Sequence, residues 1–200
     1  MRKGARTRAL ILNEAVLMAG RLGLEGLSIG SLAARLDLSK SGLFAHFGSK
    51  EDLQLLTLKR AQAIFQEQVF SPASEQARGL PRLRTLLSRW LAWIGRNDAA
   101  GGHLLLSAFM EYDERPGAVR DLLVATQREL RGAVVKAIRL AIDQGDLAPG
   151  TDPWQLGFEL YGIVLAAYND RRLLADSRST ARAEHAVERL IQAHRPAATG

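Results

Sequence analysis

The chain has 200 residues, of which 47% are hydrophobic and 24% charged, the composition of an ordinary folded protein. No apolar run reaches the roughly 18 residues that a membrane-spanning helix needs, so we do not expect a membrane protein. With no cysteine there is neither a disulfide framework nor a thiolate metal site, and no secretory leader is recognisable, so we expect a cytoplasmic protein.

Positive charge is concentrated at the N-terminal end of the chain. The formal net charge is +6, and residues 1–60 carry ten Lys or Arg against five Asp or Glu. Residues 61–200 carry 17 basic against 16 acidic side chains. This asymmetry predicts an anionic partner at the N-terminal end, with nucleic acid as the first candidate. Charge alone leaves open a basic face that meets only solvent.

The first two predicted elements are helices. Apolar residues recur with the helical period from Arg6 to Leu22, and Gly23 ends the run. Ser28 is a good N-cap, because its hydroxyl can accept a hydrogen bond from a free backbone N–H at the start of the next helix, residues 29–36.

A short third helix and a long fourth helix follow. Ser39 can cap the third helix, residues 40–47. Ser49 is followed by Asp52 at the third helical position, which predicts a capping box that opens the fourth helix toward Val69.

The rest of the chain is also predicted to be helical. Residues 71–79, rich in Ser, Pro, Ala and Gly, are predicted to form a boundary loop. Five further helices are expected at about 81–96, 102–112, 116–144, 153–174 and 180–194. No stretch alternates with the period of two that a strand needs. The predicted fold class is therefore all-α, with about nine helices: an N-terminal three-helix domain followed by a larger helical bundle.

The helix at residues 40–47 is only two turns long, so it buries little surface and is costly to nucleate. Together with the preceding helix and the linking "LDLS", it matches the helix-turn-helix plan over about residues 28–47, whose second helix enters the DNA major groove. Leu43 and Phe47, four residues apart, form its buried stripe. Its outward face then consists of Lys40, Ser41, Gly42, Ala45 and His46.

The segment "LSIGSLAARLDLSKSGLFAHFGSKEDL" resembles the DNA-binding domain of the TetR family of bacterial transcriptional regulators. The resemblance spans about residues 5–65, which we take as the first domain. It implies that the bases are contacted by Lys40, Ser41 and Gly42. It implies that the phosphate backbone is contacted by Ser28, Phe44, His46 and Lys50.

Two positions depart from the usual family pattern. Phe44 stands where the family most often has tyrosine, and it has no hydroxyl to donate to a phosphate. Asp37 stands in the turn where glycine is common. Aspartate tolerates left-handed backbone better than most residues, so we expect the turn to be kept.

Residues 80–195, the second predicted domain, carry no catalytic or metal-binding motif. The three histidines His103, His185 and His194 are scattered, and there is no nucleophile-elbow, phosphate-loop or dinucleotide-binding glycine motif. His185 and Glu188 share a helix face, but two ligands do not form a metal site. We therefore predict no enzyme, no cofactor and no metal.

The resemblance implies a small-molecule pocket between helices of this second domain. Binding there is expected to change the separation of two DNA-contacting domains. Candidate lining residues are Trp90, Trp93, His103, Phe109, Glu111 and Tyr112. They suit an apolar or aromatic effector held by a few polar groups.

Two apolar stripes run along the helix predicted at residues 153–174. One must cover the domain's own core, and the other leaves an exposed patch unless a partner covers it. Family members pair through their last two helices, so the resemblance implies a homodimer. Candidate interface residues are Leu160, Val164, Leu165, Tyr168, Val187, Leu190 and Ile191.

The patterns and the family resemblance together imply a homodimeric transcriptional regulator, most often a repressor in this family, that binds a palindromic operator in double-stranded DNA and is released by a small-molecule effector. Effector and DNA would each weaken the other's binding by the same factor. Two interpretations stay open beside it. One is an all-α small-molecule-binding protein or enzyme with a vestigial DNA-binding motif, and the other is an architectural DNA-binding protein without an effector.

Overall fold

A computed structural model describes the backbone of residues 3–96 and 102–197, and the side chains of residues 7–96 and 104–197. Over these ranges the chain is helical and contains no strand. Nine α-helices in them have eight residues or more, so the predicted all-α fold is confirmed. None of the helices in the described part of the chain is long and apolar enough to cross a lipid bilayer.

The helices lie close to their predicted bounds. In chain order they are α1 (Lys3–Leu22), α2 (Ile29–Leu36), α3 (Lys40–Phe47), α4 (Lys50–Phe65), a π-helical segment (Gln66–Phe70), α5 (Ser71–Ser74), α6 (Leu80–Gly95), α7 (Gly102–Glu111), α8 (Ala118–Asp143), α9 (Pro153–Leu173) and α10 (Ser179–Ala193).

Two of the predicted N-caps lie where the sequence places them. The Ser28 hydroxyl accepts a hydrogen bond from the backbone N–H of Ser31 at 3.0 Å, and the Ser31 hydroxyl oxygen accepts from the backbone N–H of Ser28 at 3.1 Å. The Ser39 hydroxyl accepts from the backbone N–H of Gly42 at 3.1 Å. These bonds satisfy donors that a helix start leaves unpaired, which is why two such short helices have defined starts.

The cap of α4 differs from the predicted capping box in one bond. The Ser49 hydroxyl accepts from the backbone N–H of Asp52 at 3.0 Å, as expected. The return bond, however, runs from the Ser49 hydroxyl to Asp52 Oδ2 at 2.7 Å. The backbone N–H of Ser49 instead donates to the carbonyl of Phe47 at 2.8 Å, so it is already occupied by the turn that ends α3.

The predicted boundary loop at residues 71–79 is wrong in its first half, because residues 71–74 form α5. Pro72 lies in the first turn of this helix, where its missing N–H costs no hydrogen bond. The Ser74 hydroxyl also donates to the carbonyl of Ser71 at 2.7 Å. The non-helical connection to α6 is therefore shorter than the composition of the segment suggests.

The chain divides into two compact units, of which the first is Met1–Phe65 with Asp98–Thr126. It holds α1 to α4, α7 and the beginning of α8. Within it α2 packs against α3, and α7 packs against both α1 and α4. Its core is built from buried apolar side chains, among them Ile11, Ala15, Val16, Leu24, Leu32, Leu43, Leu53 and Leu58.

The second unit is Gln66–Asn97 with Gln127–Gly200. Here α10 packs against α9 and α6, and α6 packs against α9. Asp152 caps α9 by accepting from the backbone N–H groups of Trp154 and Gln155 at 2.8 and 3.2 Å. The predicted domain limits, 5–65 and 80–195, stay a prediction. The compact units follow packing rather than chain order, and α7 belongs to the first of them.

Most of the residues predicted to form the dimer interface lie inside the protomer. Five of the seven are buried in the single chain, namely Leu160, Val164, Tyr168, Val187 and Ile191, while Leu165 and Leu190 are half-buried. The five buried side chains belong to the packing of α9 and α10 within their own unit, so most of their surface is already covered in the single chain, and the predicted interface stays a prediction. The exposed apolar side chains of α9 are instead Trp154, Phe158 and Leu173.

Candidate nucleic-acid interface

Helix α3 has one buried and one exposed face, as its sequence predicts. Leu43 and Phe47 are buried against the first unit. The side chains predicted to face outward are all exposed: Lys40, Ser41, Ala45 and His46, together with Gly42. The two buried residues can therefore anchor α3 while its N-terminal half is open to a ligand as large as a DNA duplex.

The turn between α2 and α3 keeps the geometry expected of it. Asp37 adopts the left-handed conformation, with φ 53° and ψ 44°, and its backbone N–H donates to the carbonyl of Ala33. The backbone N–H of Leu38 donates to the same carbonyl at 3.0 Å. Aspartate therefore performs here the role usual for glycine, and the expectation for this turn is confirmed.

The side chain of Lys40, the first residue of α3, extends over Gly30 in the first turn of α2. A Cβ placed on Gly30 would lie 3.4 Å from Lys40 Cε and 3.8 Å from its ammonium nitrogen. The absence of a side chain at Gly30 thus leaves room for Lys40 beside the start of α2. This position joins a positive side chain to a helix N-terminus, both of which attract anions.

The residues expected at the phosphate backbone differ in how available they are. Phe44 is 56% exposed. His46 is exposed, and its ring centroid lies 6.3 Å from that of Phe47. Ser28 is half-buried and its hydroxyl is already part of the capping box of α2.

Lys50, at the start of α4, forms an ion pair that the sequence did not reveal. Its ammonium nitrogen lies 2.6 Å from Oε1 of Glu25, in the loop between α1 and α2. The side chains are 43% and 50% exposed, so the pair lies at the surface. The hydrogen bonds from Lys50 and Tyr112 hold the pKa of the Glu25 carboxyl below its usual value.

The other oxygen of Glu25 is held by Tyr112, which directly follows α7. The Tyr112 hydroxyl donates to Glu25 Oε2 at 3.0 Å and accepts from Gln54 Nε2 at 3.0 Å. Gln54 Nε2 also donates to the carbonyl of Leu24 at 3.0 Å. Tyr112 and Gln54 are both buried, and burial followed by the hydrogen bond to Glu25 raises the pKa of Tyr112.

Glu111, the last residue of α7, binds the backbone of the same loop. Its carboxylate accepts from the backbone N–H of Leu24 and from that of Glu25, each at 2.8 Å. Gly23, with φ 80°, lets the loop approach: a Cβ there would lie 3.1 Å from a Glu111 oxygen. Glu111 and Tyr112, predicted to line an effector pocket, thus have their polar atoms engaged within the first unit.

The other candidate effector residues divide between the units. Trp90 and Trp93 are buried in the second unit, where the Trp90 ring packs 5.9 Å from that of Tyr161. Phe109 is half-buried in α7 of the first unit. The side chain of His103 lies outside the described residues.

Sequence reasoning missed two residues of this surface. The Arg8 guanidinium lies 6.0 Å from the centroid of the Phe47 ring, so α1 adds a positive charge beside the end of α3. In the sequence, Glu25 is only one of the five acidic residues within residues 1–60. Only the charges of Arg8 and Glu25 are visible in the sequence. Their contacts with Phe47 and Lys50 join residues that lie far apart in the chain.

A helix-turn-helix whose second helix exposes Lys40 and His46 is typical of DNA-binding proteins. Residues 11–55 match the family model described as bacterial regulatory proteins of the tetR family, and residues 79–187 match the one described as tetracyclin repressor-like, C-terminal domain. The chain belongs to the TetR family of bacterial transcriptional regulators.

Solved structures of TetR-family regulators have the same fold. A regulator from Chloroflexus aurantiacus is 23% identical with a TM-score of 0.87, covering 97% of this chain and 98% of its own. A regulator from Streptomyces coelicolor is 19% identical with a TM-score of 0.80, covering 96% and 97%. AibR, in complex with isovaleryl coenzyme A and operator DNA, is 26% identical with a TM-score of 0.71, covering 91% and 96%. None of the curated proteins matches this sequence.

Proposed function

We propose that this regulator is a homodimeric repressor that binds a palindromic operator through α3 and leaves it when a small molecule binds. The observation that carries the proposal is the two-faced helix α3: Leu43 and Phe47 anchor it, and Lys40, Ser41 and Gly42 are open at its N-terminal half. A helix presented in this way contacts base edges with its first residues. Family membership supports the regulator class.

Base contacts are assigned to Lys40, Ser41 and Gly42. Lys40 has the reach and charge to donate to the O6 and N7 acceptors of guanine in the major groove. Ser41 and Gly42 are small, so the backbone of α3 can approach the groove closely. Phosphate contacts are assigned to Ser28, Phe44, His46 and Lys50, with Arg8 added from its position beside Phe47.

The homodimer is proposed because one short helix contacts too few base pairs to specify a site, while two copies related by a two-fold axis double the contacts. The surface we assign to it is the exposed face of α9. Trp154, Phe158 and Leu173 are large apolar side chains left open there. Between them Gly162 and Ala166 are exposed and small, so a second helix can approach closely. A two-fold contact would bring this face against its own copy.

The effector is proposed to be an apolar or aromatic compound that binds in the second unit. Trp90 and Trp93 supply buried aromatic surface there. The Arg131 guanidinium lies 4.4 Å from the centroid of the buried Tyr161 ring, which adds a polar group to this aromatic cluster. AibR, solved in complex with isovaleryl coenzyme A and operator DNA, supports a regulator that binds a small molecule as well as DNA.

The DNA-binding part of the proposal is tested by selecting duplexes from a random library with the full-length protein. We expect an enriched inverted repeat whose half-sites are a helical turn or more apart, and affinity that falls steeply with salt. Random duplexes of equal length are the control. Enrichment of a single unrepeated site would contradict the homodimer, and equal binding of selected and random duplexes would favour the architectural alternative.

The effector part is tested on the complex with the selected duplex. Apolar and aromatic compounds are screened for loss of the complex, and each active compound is tested against a Trp90→Phe variant. We expect release by at least one compound and weaker release from the variant. Compounds that bind the protein with equal affinity whether or not DNA is present would contradict coupling between the two ligands.

A further inference from the structure

We propose that Glu25 competes with DNA phosphate for Lys50, and that Tyr112 and Glu111 are positioning residues that hold Glu25 in place for this. Glu25 then lowers the affinity of the protein for every DNA sequence. This rests on the proposed contact between Lys50 and a phosphate. The new element is that the Glu25 carboxylate opposes this contact. The residues at the end of α7 hold Glu25 in place, and so they set how strong the contact is.

The first step is the competition at Lys50. Its ammonium nitrogen lies 2.6 Å from Glu25 Oε1, and both side chains are about half exposed. An exposed ion pair is worth little, so a phosphate can displace it. A phosphate that reaches this ammonium also comes close to the Glu25 carboxylate, and the two negative charges repel. Lys50 therefore adds less to DNA affinity than a free lysine at the same place.

The second step is that Glu25 cannot simply turn away from an incoming phosphate. Its Oε2 accepts from the Tyr112 hydroxyl at 3.0 Å and lies 3.6 Å from an Arg115 guanidinium nitrogen. Tyr112 is itself fixed by burial and by the hydrogen bond from Gln54. The carboxylate is thus tethered on the side away from Lys50, so its charge stays near the place proposed for the phosphate.

The third step extends the tether to the main chain. Glu111 accepts from the backbone N–H groups of Leu24 and Glu25, each at 2.8 Å, so the end of α7 also sets where the backbone of Glu25 lies. Glu111 and Tyr112 are consecutive residues, and both hold the same loop within the first unit. A small shift of this end of α7 against α1 would therefore change how firmly Glu25 opposes DNA.

The test is a set of charge-neutralising variants of the full-length protein, measured on selected and random duplexes over a range of salt concentrations. Glu25→Gln keeps an oxygen for the Tyr112 hydroxyl but removes the charge. We expect binding to tighten on both duplexes, by up to about eightfold per protomer at about 0.1 M salt, with a salt dependence steeper by up to about one unit per protomer.

The matched control is Glu14→Gln. Glu14 pairs with Arg35 at 2.7 Å in the same unit, so this variant makes the same change in net charge away from Lys50. We expect less than a twofold change in affinity and an unchanged salt dependence. Equal gains from Glu14→Gln and Glu25→Gln would show that net charge alone is responsible, and would overturn the proposal.

The positioning role is tested by Tyr112→Phe, which removes only the hydroxyl. We expect Tyr112→Phe to tighten binding less than Glu25→Gln does and to steepen the salt dependence. Added to Glu25→Gln, it should give no further gain in affinity. A purely structural tyrosine would lower stability without changing the salt dependence, and that result would remove Tyr112 from the proposal.

Lys50→Ala distinguishes failure of this proposal from failure of the proposed phosphate contact of Lys50, on which it rests. If adding Lys50→Ala to Glu25→Gln leaves the salt dependence unchanged, Lys50 does not contact phosphate, and both the contact and the competition are wrong. If Lys50→Ala weakens binding but Glu25→Gln fails to strengthen it, only the competition is wrong. In the Lys50→Ala background we expect Glu25→Gln to strengthen binding less than it does beside Lys50, because only the repulsion between carboxylate and phosphate is then relieved; an equal gain in both backgrounds would overturn the competition.

Discussion

Replacing Phe158 with glutamate should separate the protomers of the proposed homodimer without unfolding them. Phe158 is 61% exposed on α9. A phenylalanine side chain has roughly 200 Å² of surface, so about 120 Å² of it is left for a partner. At about 25 cal/mol per Å², covering it is worth about 3 kcal/mol per copy and about 6 kcal/mol per dimer. Phe158→Glu loses this burial free energy, and it adds a carboxylate that each copy would have to bury in the interface.

The assay is sedimentation equilibrium, with circular dichroism to follow folding. We expect Phe158→Glu to be monomeric at micromolar concentration, with an unchanged helical signal, and to lose binding to the selected duplex. Val164→Asp is the matched control, because Val164 lies on the buried side of α9 and has no exposed surface. A buried unpaired carboxyl there should destabilise the protomer by several kcal/mol and lower its unfolding midpoint. If Phe158→Glu stays dimeric, the exposed face of α9 is not the interface.

Three further variants follow from the first unit. Glu111→Ala should lower the free energy of unfolding by about 2–3 kcal/mol in urea titrations, because two backbone donors lose a charged acceptor; a change under about 0.5 kcal/mol would contradict this. Asp37→Gly should raise it by about 0.5–1 kcal/mol, because glycine adopts left-handed backbone without strain, whereas a loss would mean that the aspartate side chain stabilises the turn. Phe44→Tyr should tighten binding to all duplexes about fivefold if its new hydroxyl reaches a phosphate, and unchanged affinity would remove residue 44 from the backbone contacts.

The bounds of α2 and α3 agree with the sequence prediction because local chemistry decides them. Ser28 and Ser39 satisfy helix-start donors within three residues of themselves, and Gly48, with φ 73°, ends α3. The inward position of Leu43 and Phe47 follows in the same way from a four-residue spacing. Signals of this kind need no knowledge of the rest of the fold.

The faces of α9 could not be assigned from its sequence. Two apolar stripes with the same period run along it, and which stripe is covered depends on how α6 and α10 pack against it. Val164 is buried by that packing and Phe158 is not. Hydrophobicity alone contains no information that distinguishes a stripe facing the protomer core from one facing solvent.

The same limit applies to Glu111 and Tyr112. A glutamate and a tyrosine in an apolar helix are consistent with a pocket, and nothing near them in sequence indicates otherwise. Their actual partners lie in the loop between α1 and α2, with Tyr112 bonded to Glu25 across 87 positions of the chain. Contacts at such separation are set by the tertiary packing of α7 on α1 and α4.

The most direct test of DNA recognition by α3 is the affinity of Lys40→Ala for selected and random duplexes at one salt concentration. If Lys40 contacts a guanine edge, binding to the selected duplex should weaken by roughly 1–3 kcal/mol per half-site, while binding to random duplexes changes much less. Preference at one base position of each half-site should be lost as well. Equal weakening on both duplexes would contradict base recognition by Lys40 and leave it as a phosphate contact.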